Sequence, residues 1–406
     1  MTAPQASHHK HTSLPYYTGR ARINLDAITH NVATIRDRVH VRSPHTHVMA
    51  VVKSNAYGHG LIESARAAVA GGATWLGTAQ ASEALELRQA GITERILTWL
   101  NTPHSDFDPL LEHDIDVSVA NPHAVHAVIA AAQRVSRRAR VHLKVDTGMG
   151  RNGYTVEHMN EIVQPLIAAD HAGHISWVGI WSHLACADEP GHEVNQQQVA
   201  AFDAAIAYAQ AAGARFEVRH LANSAAALTN PHAYYDLVRV GLAMYGLSPA
   251  PEVGDSAYFG LRPAMTLEAD IATLKELPAG HGVSYSHQYT TPTSTVLAVV
   301  PLGYGDGIPR HVSGTRATGG LGAPITIAGQ RYRISGRVCM DQFMVDLGPE
   351  TAAHAGDTAV LFGDSARGEP SADEWAEIAG TISYEIVTRL SERVPRIYTH
   401  TDATTS

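Results

Sequence analysis

Seven polar residues have types and positions that could do acid–base or covalent chemistry. Lys53 ends a short apolar run in "AVVKSNAYGHG". Burial at such a position would lower the pKa of the amine and leave its neutral form available to build an imine. The other six stand at or just past the ends of β-branched runs: Arg151, His183, His220, Asn223, Ser224 and Arg239. Together these residues predict a site for an imine-forming cofactor or substrate.

The elements that must position these residues alternate regularly from about residue 20 to residue 246. Eight apolar runs are separated, for the most part, by helical patterns; the runs are "HVMAVVKSN", "TWLGTAQ", "RILTWL", "IDVSVAN", "ARVHLKVDTGMG", "HISWVGIWSHLA", "RFEVRHLANS" and "YYDLVRVGLAMYG". Such alternation is typical of a parallel sheet covered by helices. Eight units predict a (β/α)8 barrel of the TIM type, in which polar groups after the strands meet at one mouth. A doubly wound open sheet is the alternative.

A change in amino-acid composition after "SPAPEVGD" predicts a second domain. The later sequence is rich in Val, Ile, Thr and turn residues, which favours β structure. We therefore expect a tail over residues 1–18 that is disordered, a barrel over residues 19–246 and a mostly β C-terminal domain over residues 247–400. One helical pattern, "SADEWAEIAGTISYEIVTRLSERV", interrupts the β texture, and Ser371 can cap its start.

Composition narrows the classes of partner. The 406 residues carry a formal net charge of -9 and no basic block, which argues against nucleic acid. Only two cysteines are present and no signal-like or membrane-length apolar run is seen, so we expect a cytoplasmic protein that binds small molecules. The 25 histidines form no H-x-x-x-H pattern or Cys/His cluster, and we expect no metal.

The loops after the seventh and eighth runs predict a phosphate site, since backbone N–H groups of these loops bind phosphate in many barrels. Their sequences are "HLANSAAAL" and "RVGLAMYG". Ser224 is predicted to cap a helix, and Gly241 permits close approach of the backbone. A lysine with a phosphate site suggests pyridoxal 5'-phosphate, although a class I aldolase would combine the same two features.

Nine strings in register carry a resemblance to one family. Besides "AVVKSNAYGHG" they are "LKVDTGMGRNG", "SHLACADE", "HLANSAA", "VRVGLAMYG", "GVSYSHQY", "GYGDGIPR", "VCMDQ" and "ISYEIVTRLSERVPR". Over residues 20–398 the chain is similar to the bacterial alanine racemases, which use pyridoxal 5'-phosphate and have the type III fold of enzymes with that cofactor. The resemblance implies interconversion of L- and D-alanine, with D-alanine supplied for peptidoglycan.

The resemblance also implies roles for the residues of the barrel. Lys53 would hold the cofactor and act as one base, while Arg239 would face the pyridine nitrogen. Arg151 would lie near the phenolic oxygen and the substrate, and His220 would support Arg239. Lys144 matches a lysine that many members carry as a carbamate. The other cofactor-binding residues that it implies are Tyr57, His183, Asn223, Ser224, Gly241 and Tyr384.

The second base implied by the resemblance is Tyr285, supplied by the partner subunit of a homodimer with composite sites. A phenol has an ordinary pKa near 10, so cationic neighbours would have to lower it. Met340 would offer its backbone N–H to the substrate carboxylate. The residues expected to line the path to the site are Tyr304, Arg310 and Asp341.

Other readings of the same motifs stay open at this point. A serine or broad-specificity racemase would share them all. An amino-acid decarboxylase would pair the pyridine nitrogen with a carboxylate, whereas Arg239 occupies that place. A non-catalytic carrier of the cofactor would have no need of the β domain that bears Tyr285.

Overall fold

The computed structural model describes residues 16–400, so the predicted tail lies outside the described residues except for its last three. Strands and helices alternate through the first part of the chain, and strands dominate the second. The strands are β1 (Gly19–Asn24), β2 (His47–Val51), β3 (Trp75–Thr78), β4 (Arg95–Thr98), β5 (Asp116–Val119), β6 (Ala139–Asp146), β7 (Tyr154–Thr155), β8 (Ile175–Trp181), β9 (Val218–His220), β10 (Leu237–Val240), β11 (Met265–Asp270), β12 (Thr273–Leu277), β13 (Gly282–Val283), β14 (Tyr289–Thr290), β15 (Thr295–Val300), β16 (Leu321–Ile327), β17 (Gln330–Ser335), β18 (Phe343–Asp346), β19 (Thr358–Phe362) and β20 (Arg396–Thr399).

Right-handed helices follow most of the early strands. They are α1 (Leu25–His40), α2 (Leu61–Ala70), α3 (Ala81–Gln89), α4 (Asp108–Glu112), α5 (Pro122–Val135), α6 (Asn160–His171), α7 (Glu193–Ala211), α8 (Ser224–Thr229), α9 (Ala372–Ala379) and α10 (Ser383–Thr388). Among residues 16–400, no helix is both long and apolar enough to cross a membrane.

Eight parallel strands form the barrel that the sequence predicts. Their spatial order is β10-β2-β3-β4-β5-β6-β8-β9, and all eight predicted runs contain one of them. The ring is closed between the last two strands, because Asp236 N donates to Arg219 O at 3.0 Å and Arg239 N donates to Ala222 O at 2.9 Å. The prediction of a barrel is confirmed, and the open-sheet alternative is wrong.

Local sequence explains why the strands and helices begin where they do. The barrel strands are buried on both faces and most of their side chains are apolar, as expected of strands covered by helices. Asn121 caps α5 by accepting from Ala124 N, and Pro122 stands at the first helical position, where no N–H is needed. Side chains of six strands fill the barrel as one apolar cluster: Met49, Trp75, Leu97, Val178, Val218 and Leu237.

The β part of the chain has its own antiparallel sheet and core. Strands β12, β15, β18, β17, β16 and β19 lie side by side in that order, and each pair is antiparallel. Its apolar cluster consists of Leu277, Val283, Tyr289, Leu297 and Met344. The predicted mostly β character of this part is confirmed.

The chain divides into two compact units that interleave along the sequence. The barrel unit contains Arg22–Thr266, Phe362–Arg389 and the described residues from Arg396 onward. The β unit contains Leu267–Leu361, Leu390–Pro395 and the described residues up to Ala21. Helices α9 and α10 therefore pack with the barrel unit, where the ring of Phe362 lies 5.9 Å from that of Trp375.

The single late helix of the sequence pattern is two helices. Ser371 caps α9 as predicted, with its side chain accepting from Glu374 N. Gly380 then takes a left-handed conformation with φ of 68°, which ends the helix, and α10 begins three residues later.

Candidate active site

A cavity of about 1060 Å³ opens in the barrel unit, where the strands end. Helices α9 and α10 supply part of its wall. Ten of the residues singled out in the sequence line it: Lys53, Tyr57, Lys144, Arg151, His183, Asn223, Ser224, Arg239, Gly241 and Tyr384. The predicted convergence of polar groups at one mouth is thus present in the barrel.

Lys53 follows β2 directly and lies partly buried in this cavity. Burial lowers the pKa of its amine, and the guanidinium of Arg151 lowers it further, while the carboxylate of Glu83 opposes both effects. A lysine with a lowered pKa has more of the neutral amine at neutral pH. This is the form that attacks a carbonyl or takes up a proton.

The backbone after Lys53 makes a left-handed turn over Ser54–Tyr57, where four successive residues have φ between 53° and 56°. L-residues disfavour this conformation by roughly 1–2 kcal/mol each. Three contacts hold the turn. Ser54 N donates to the carboxylate of Glu83, Leu61 N donates to Asn55 Oδ1 at 2.8 Å, and Arg396 Nε donates to Gly58 O at 2.8 Å. We refer to Ser54–Tyr57 as the lysine turn.

One wall of the cavity is formed around Gly241. A Cβ at this position would lie 2.5 Å from Tyr57 Oη, so only glycine lets the two groups come this close. Gly241 N donates to Ser224 Oγ at 2.8 Å, which leaves the Ser224 hydroxyl hydrogen free to point elsewhere. The ring of Tyr384, from α10, lies 6.0 Å from that of Tyr57. The hydroxyl groups of Tyr57, Ser224 and Tyr384 therefore gather at this wall of the cavity.

The cap of the adjacent helix differs from the expectation. Asn223, not Ser224, caps α8, since Asn223 Oδ1 accepts from Ala226 N at 3.1 Å. Ser224 is the first helical residue and uses its hydroxyl to hold Gly241 instead. The prediction of a Ser224 cap is wrong because asparagine caps at least as well as serine and stands one residue earlier.

Arg239 is a buried cation fixed on several sides. Its Nη2 donates to Ser182 O at 2.7 Å and to Leu221 O at 3.0 Å. Its guanidinium carbon lies 4.8 Å from the centroid of the Trp181 ring. Burial, together with the nearby Arg151, lowers the pKa of Arg239 to about 9, so the group is still a cation at neutral pH.

Two histidines contact this guanidinium. Arg239 Nη2 lies 3.2 Å from His183 Nδ1, and Arg239 Nη1 lies 3.3 Å from His220 Nδ1. Burial lowers the pKa of both imidazoles well below the ordinary value, and the charge of Arg239 lowers it further. Both rings are therefore neutral acceptors. His183 lines the cavity, whereas His220 lies behind Arg239.

Lys144 is a second buried lysine on the cavity wall. Its Nζ lies 4.4 Å from the centroid of the Trp181 ring. Burial lowers the pKa of its amine to about 8, and Arg239 and Arg151 add to the effect. A substantial neutral fraction near neutral pH makes this amine reactive as well.

Five predicted residues belong to the β unit, and all are exposed there: Tyr285, Tyr304, Arg310, Met340 and Asp341. Two backbone hydrogen bonds join the loops that carry Tyr304 and Met340, from Tyr304 N to Cys339 O at 3.0 Å and from Gly305 N to Met340 O at 2.8 Å. Arg393 clamps the same loops through Asp306 at 3.1 Å and Asp341 at 2.7 Å. The β unit thus presents Tyr304, Met340 and Asp341 from two loops that are joined to each other.

Sequence reasoning missed Trp181 and Glu83. Trp181 ends β8, and its ring lies against Lys144 and Arg239 and stacks on His220 at 5.5 Å. Its position two residues before His183 could have marked it as facing the barrel interior. Glu83 carried no signal, because a carboxylate in the first turn of a helix is ordinary. No group of three or more metal-ligating side chains occurs within the described range.

Comparison with known proteins gives a consistent picture over nearly the whole chain. Residues 23–249 match the family model described as "Alanine racemase, N-terminal domain". Residues 264–398 match the model described as "Alanine racemase, C-terminal domain".

Individual relatives agree with the family models. An alanine racemase of Beutenbergia cavernae is 52% identical over 384 residues, which are 94% of this chain and 98% of the relative. An alanine racemase of Streptomyces coelicolor is 51% identical, over 93% of this chain and 95% of the relative. The crystal structure of alanine racemase from Streptomyces lavendulae superimposes with a TM-score of 0.90 at 52% identity, covering 95% of this chain and 98% of that one.

Proposed function

Since the chain belongs to the alanine racemase family and is an isomerase, we propose that it interconverts L-alanine and D-alanine with pyridoxal 5'-phosphate as cofactor and with two bases. The proposal includes a cytoplasmic role in supplying D-alanine for peptidoglycan, as the resemblance implies. The observation that carries it is the placement of Lys53, with its lowered pKa, in the same cavity as the hydroxyl groups around Gly241.

The residues present fit this cofactor. The cavity has the size of a small-molecule site. Tyr57, Ser224 and Tyr384 offer hydroxyl groups beside the bare backbone of Gly241, which suits a phosphate. Asn223 completes that wall. When bound, pyridoxal 5'-phosphate supplies an electron-withdrawing group that makes the α-proton of an attached amino acid removable.

Arg239 would hold the pyridine nitrogen in an unprotonated state. A guanidinium can only donate hydrogen bonds, and it is a cation in this site. Arg239 would therefore leave the pyridine nitrogen without a proton. The pyridine ring would then be a weaker electron acceptor. A restrained acceptor suits an enzyme that moves one proton and carries out no further reaction. His183 and His220 support this role as neutral acceptors that engage the guanidinium.

Lys53 would hold the cofactor and then act as the base on one face of the α-carbon. Its lowered pKa favours the neutral amine, which can take the proton from D-alanine. Tyr285 of the partner subunit would act on the opposite face and take the proton from L-alanine. We therefore propose a homodimer with composite sites.

Further residues would bind and admit the substrate. The backbone N–H of Met340, also from the partner subunit, would bind the substrate carboxylate together with Arg151. Tyr304, Arg310 and Asp341 would line the way in.

Lys144 would carry a carbamate. The pKa of about 8 provides the neutral amine that reacts with carbon dioxide, and the surrounding cations would stabilise the negative product. An intact-mass or peptide spectrum taken under conditions that preserve carbamates should show the added group at Lys144 and none at the exposed Lys275. A plain ammonium at Lys144 would contradict this part of the proposal.

The decisive test of the function is chiral chromatography of the purified protein supplied with pyridoxal 5'-phosphate and pure L-alanine. The expected result is an approach to equal amounts of the two enantiomers, faster than any conversion of L-serine run alongside. Exchange of neither substrate, with the cofactor bound, would overturn the proposal and favour a decarboxylase or carrier. Faster conversion of serine would reassign the substrate.

A further inference from the structure

A row of four side chains leads from Arg239 into the barrel interior. Arg239 Nη1 lies 3.3 Å from His220 Nδ1, and His220 Nε2 lies 3.1 Å from His142 Nδ1. His142 Nε2 lies 3.2 Å from Asp116 Oδ2. All four side chains are buried, and His142, His220 and Asp116 are 0% exposed. We call these four residues the core row.

The acidic end of the core row fixes the direction of its hydrogen bonds. Burial raises the pKa of Asp116, but the hydrogen bond from His142 and the charges of Arg95 and Arg140 outweigh it, so the net shift is downward. The carboxylate is ionised and can only accept. His142 Nε2 must therefore carry a proton and donate it to the carboxylate, while His142 Nδ1 faces His220.

The basic end imposes the same direction. A guanidinium only donates, so His220 Nδ1 must accept from Arg239 and His220 must carry its proton on Nε2. That proton points at His142 Nδ1, which must accept it, so His142 carries its own proton on Nε2, the atom that faces Asp116. Each ring therefore has one tautomer that satisfies both of its neighbours. The hydrogen bonds required by Arg239 and by Asp116 therefore run in the same direction, with each residue of the core row donating to the next from Arg239 to Asp116.

The acidic end is also anchored mechanically. Arg95 Nη2 donates to Asp116 Oδ2 at 2.6 Å, and Arg140 Nε donates to Asp116 Oδ1 at 2.5 Å. Arg95 has a second, exposed partner in Glu217 at 3.1 Å. Asp116 thus serves two arginines and one imidazole at once, which holds it in a fixed orientation.

We propose that His142 and Asp116 are positioning residues that fix the tautomer of His220 and thereby the orientation of Arg239 in the cavity. Without the acceptor at His142, the Nε2 proton of His220 would be buried with no partner. His220 would avoid this unpaired donor only by adopting the other tautomer. Its Nδ1 proton would then face the N–H donors of Arg239, and the hydrogen bond between them would be lost. The tautomer claim stands on the protein alone, whereas its effect on catalysis rests on the proposed function.

The first test is a nitrogen NMR measurement on the full-length protein labelled with ¹⁵N in its histidine rings. Protonated and bare imidazole nitrogens have well-separated shifts, and the two signals are assigned from variants in which each ring is replaced in turn. We expect both His142 and His220 to be neutral and protonated on Nε2 at neutral pH. A cationic ring or an Nδ1-protonated ring at either position would overturn the proposal.

The second test compares Asp116→Asn with Glu217→Gln. Both remove a carboxylate beside Arg95, but only Asp116 touches the core row. We expect Asp116→Asn to change the His142 and His220 signals. We also expect it to lower kcat for alanine by about 10- to 100-fold, the scale of lost supporting contacts in other sites. KM should change little, since the residues proposed to bind substrate lie outside the row. Glu217→Gln should leave every quantity unchanged.

His142→Phe covers the case in which Asp116→Asn does not fold, because it keeps a ring of similar size and removes both the Nδ1 acceptor for His220 and the Nε2 donor to Asp116. A folded variant of either kind with unchanged His220 signals and unchanged kcat would refute the role. If the parent protein racemises no alanine, the proposed function fails. The NMR measurement still shows whether His142 and His220 have the proposed tautomers.

Discussion

The barrel unit and the β unit present their candidate residues in opposite ways. In the barrel unit Arg239 and Lys144 are about 5% exposed or less, and each lies against other side chains of the cavity wall. In the β unit Tyr285 is 69% exposed and Met340 is 54% exposed. The first unit shifts the pKa values of its own groups by burial, whereas the second holds its residues out on fixed loops. The contrast is what a site completed by a second subunit would require.

The largest expected effect tests the barrel side of this contrast. Lys53→Ala should lose the visible absorption band of the bound cofactor. It should also lower kcat/KM for alanine by roughly 10⁵-fold or more, as when a covalent nucleophile is removed. Absorption spectra and chiral assays measure both. Lys275→Ala, at an exposed lysine of the β unit, is the matched control and should change neither. A Lys53→Ala variant that kept both properties would exclude the lysine as the point of attachment.

The next effect tests the β side. Tyr285→Phe should slow the uptake of solvent deuterium into L-alanine by about 10²- to 10⁴-fold, the usual contribution of a general base. Uptake into D-alanine should continue, because Lys53 is the base proposed for that enantiomer. Proton NMR in heavy water follows both reactions. The control is Tyr332→Phe, whose hydroxyl donates only to Gln330. Equal slowing for the two enantiomers would show that Tyr285 is not specific to one face.

A third prediction asks whether burial in the barrel unit makes it sensitive to acid. His59 is fully buried, its ring stacks on Tyr245 at 4.4 Å, and burial lowers its pKa to about 4. Between about pH 4 and pH 6.5, His59 is protonated in the unfolded chain and neutral in the folded chain. Stability should therefore fall as the pH drops from about 6.5 to about 4, by about 3 kcal/mol from this group.

Urea unfolding at several pH values measures that dependence. His59→Phe should make the slope between about pH 4 and pH 6.5 less steep, because position 59 then takes up no proton on unfolding. His311→Phe, at an exposed histidine of the β unit, should leave the slope as it is. If the two variants had the same slope, the burial of His59 would not govern the response to acid.

The smallest expected effect concerns the wall of the cavity around Gly241. Gly241→Ala puts a methyl group 2.5 Å from Tyr57 Oη, so either the tyrosine or the backbone must move. The dissociation constant for pyridoxal 5'-phosphate should rise by about tenfold, which is about 1.4 kcal/mol. Fluorescence titration of the apoenzyme measures it. Gly191→Ala is the control, since nothing lies within 4 Å of its added methyl. Equal affinities would remove Gly241 from the phosphate site.

The barrel and its mouth were predictable because their signals are local. Each strand lies in an apolar run, and helices such as α2 and α5 lie between the runs, where the alternation predicts helical segments. The residues Lys53 and Arg239 stand in or directly after such runs, so the strand assignments alone bring them to one end of the sheet.

The features that escaped prediction depend on contacts between distant parts of the chain. His142 lies in the middle of β6 and Asp116 at the start of β5, where each looks like an ordinary strand residue. Only the ring of strands brings them into line with His220. The lysine turn escaped for a related reason. Its sequence has no glycine among the left-handed residues, so nothing in "SNAY" announces the conformation.

The lysine turn has a consequence for the order of events during synthesis. Its conformation is locally unfavourable by roughly 1–2 kcal/mol per residue, so it forms only when its partners are in place. One of those partners, Arg396, is 338 residues beyond Gly58. Lys53 leaves the ribosome early, yet its neighbours are locked only after almost the whole chain has emerged and β20 has docked. A nascent or truncated chain therefore has Lys53 without the native contacts around it, and the loading of the proposed cofactor would be one of the last steps of maturation.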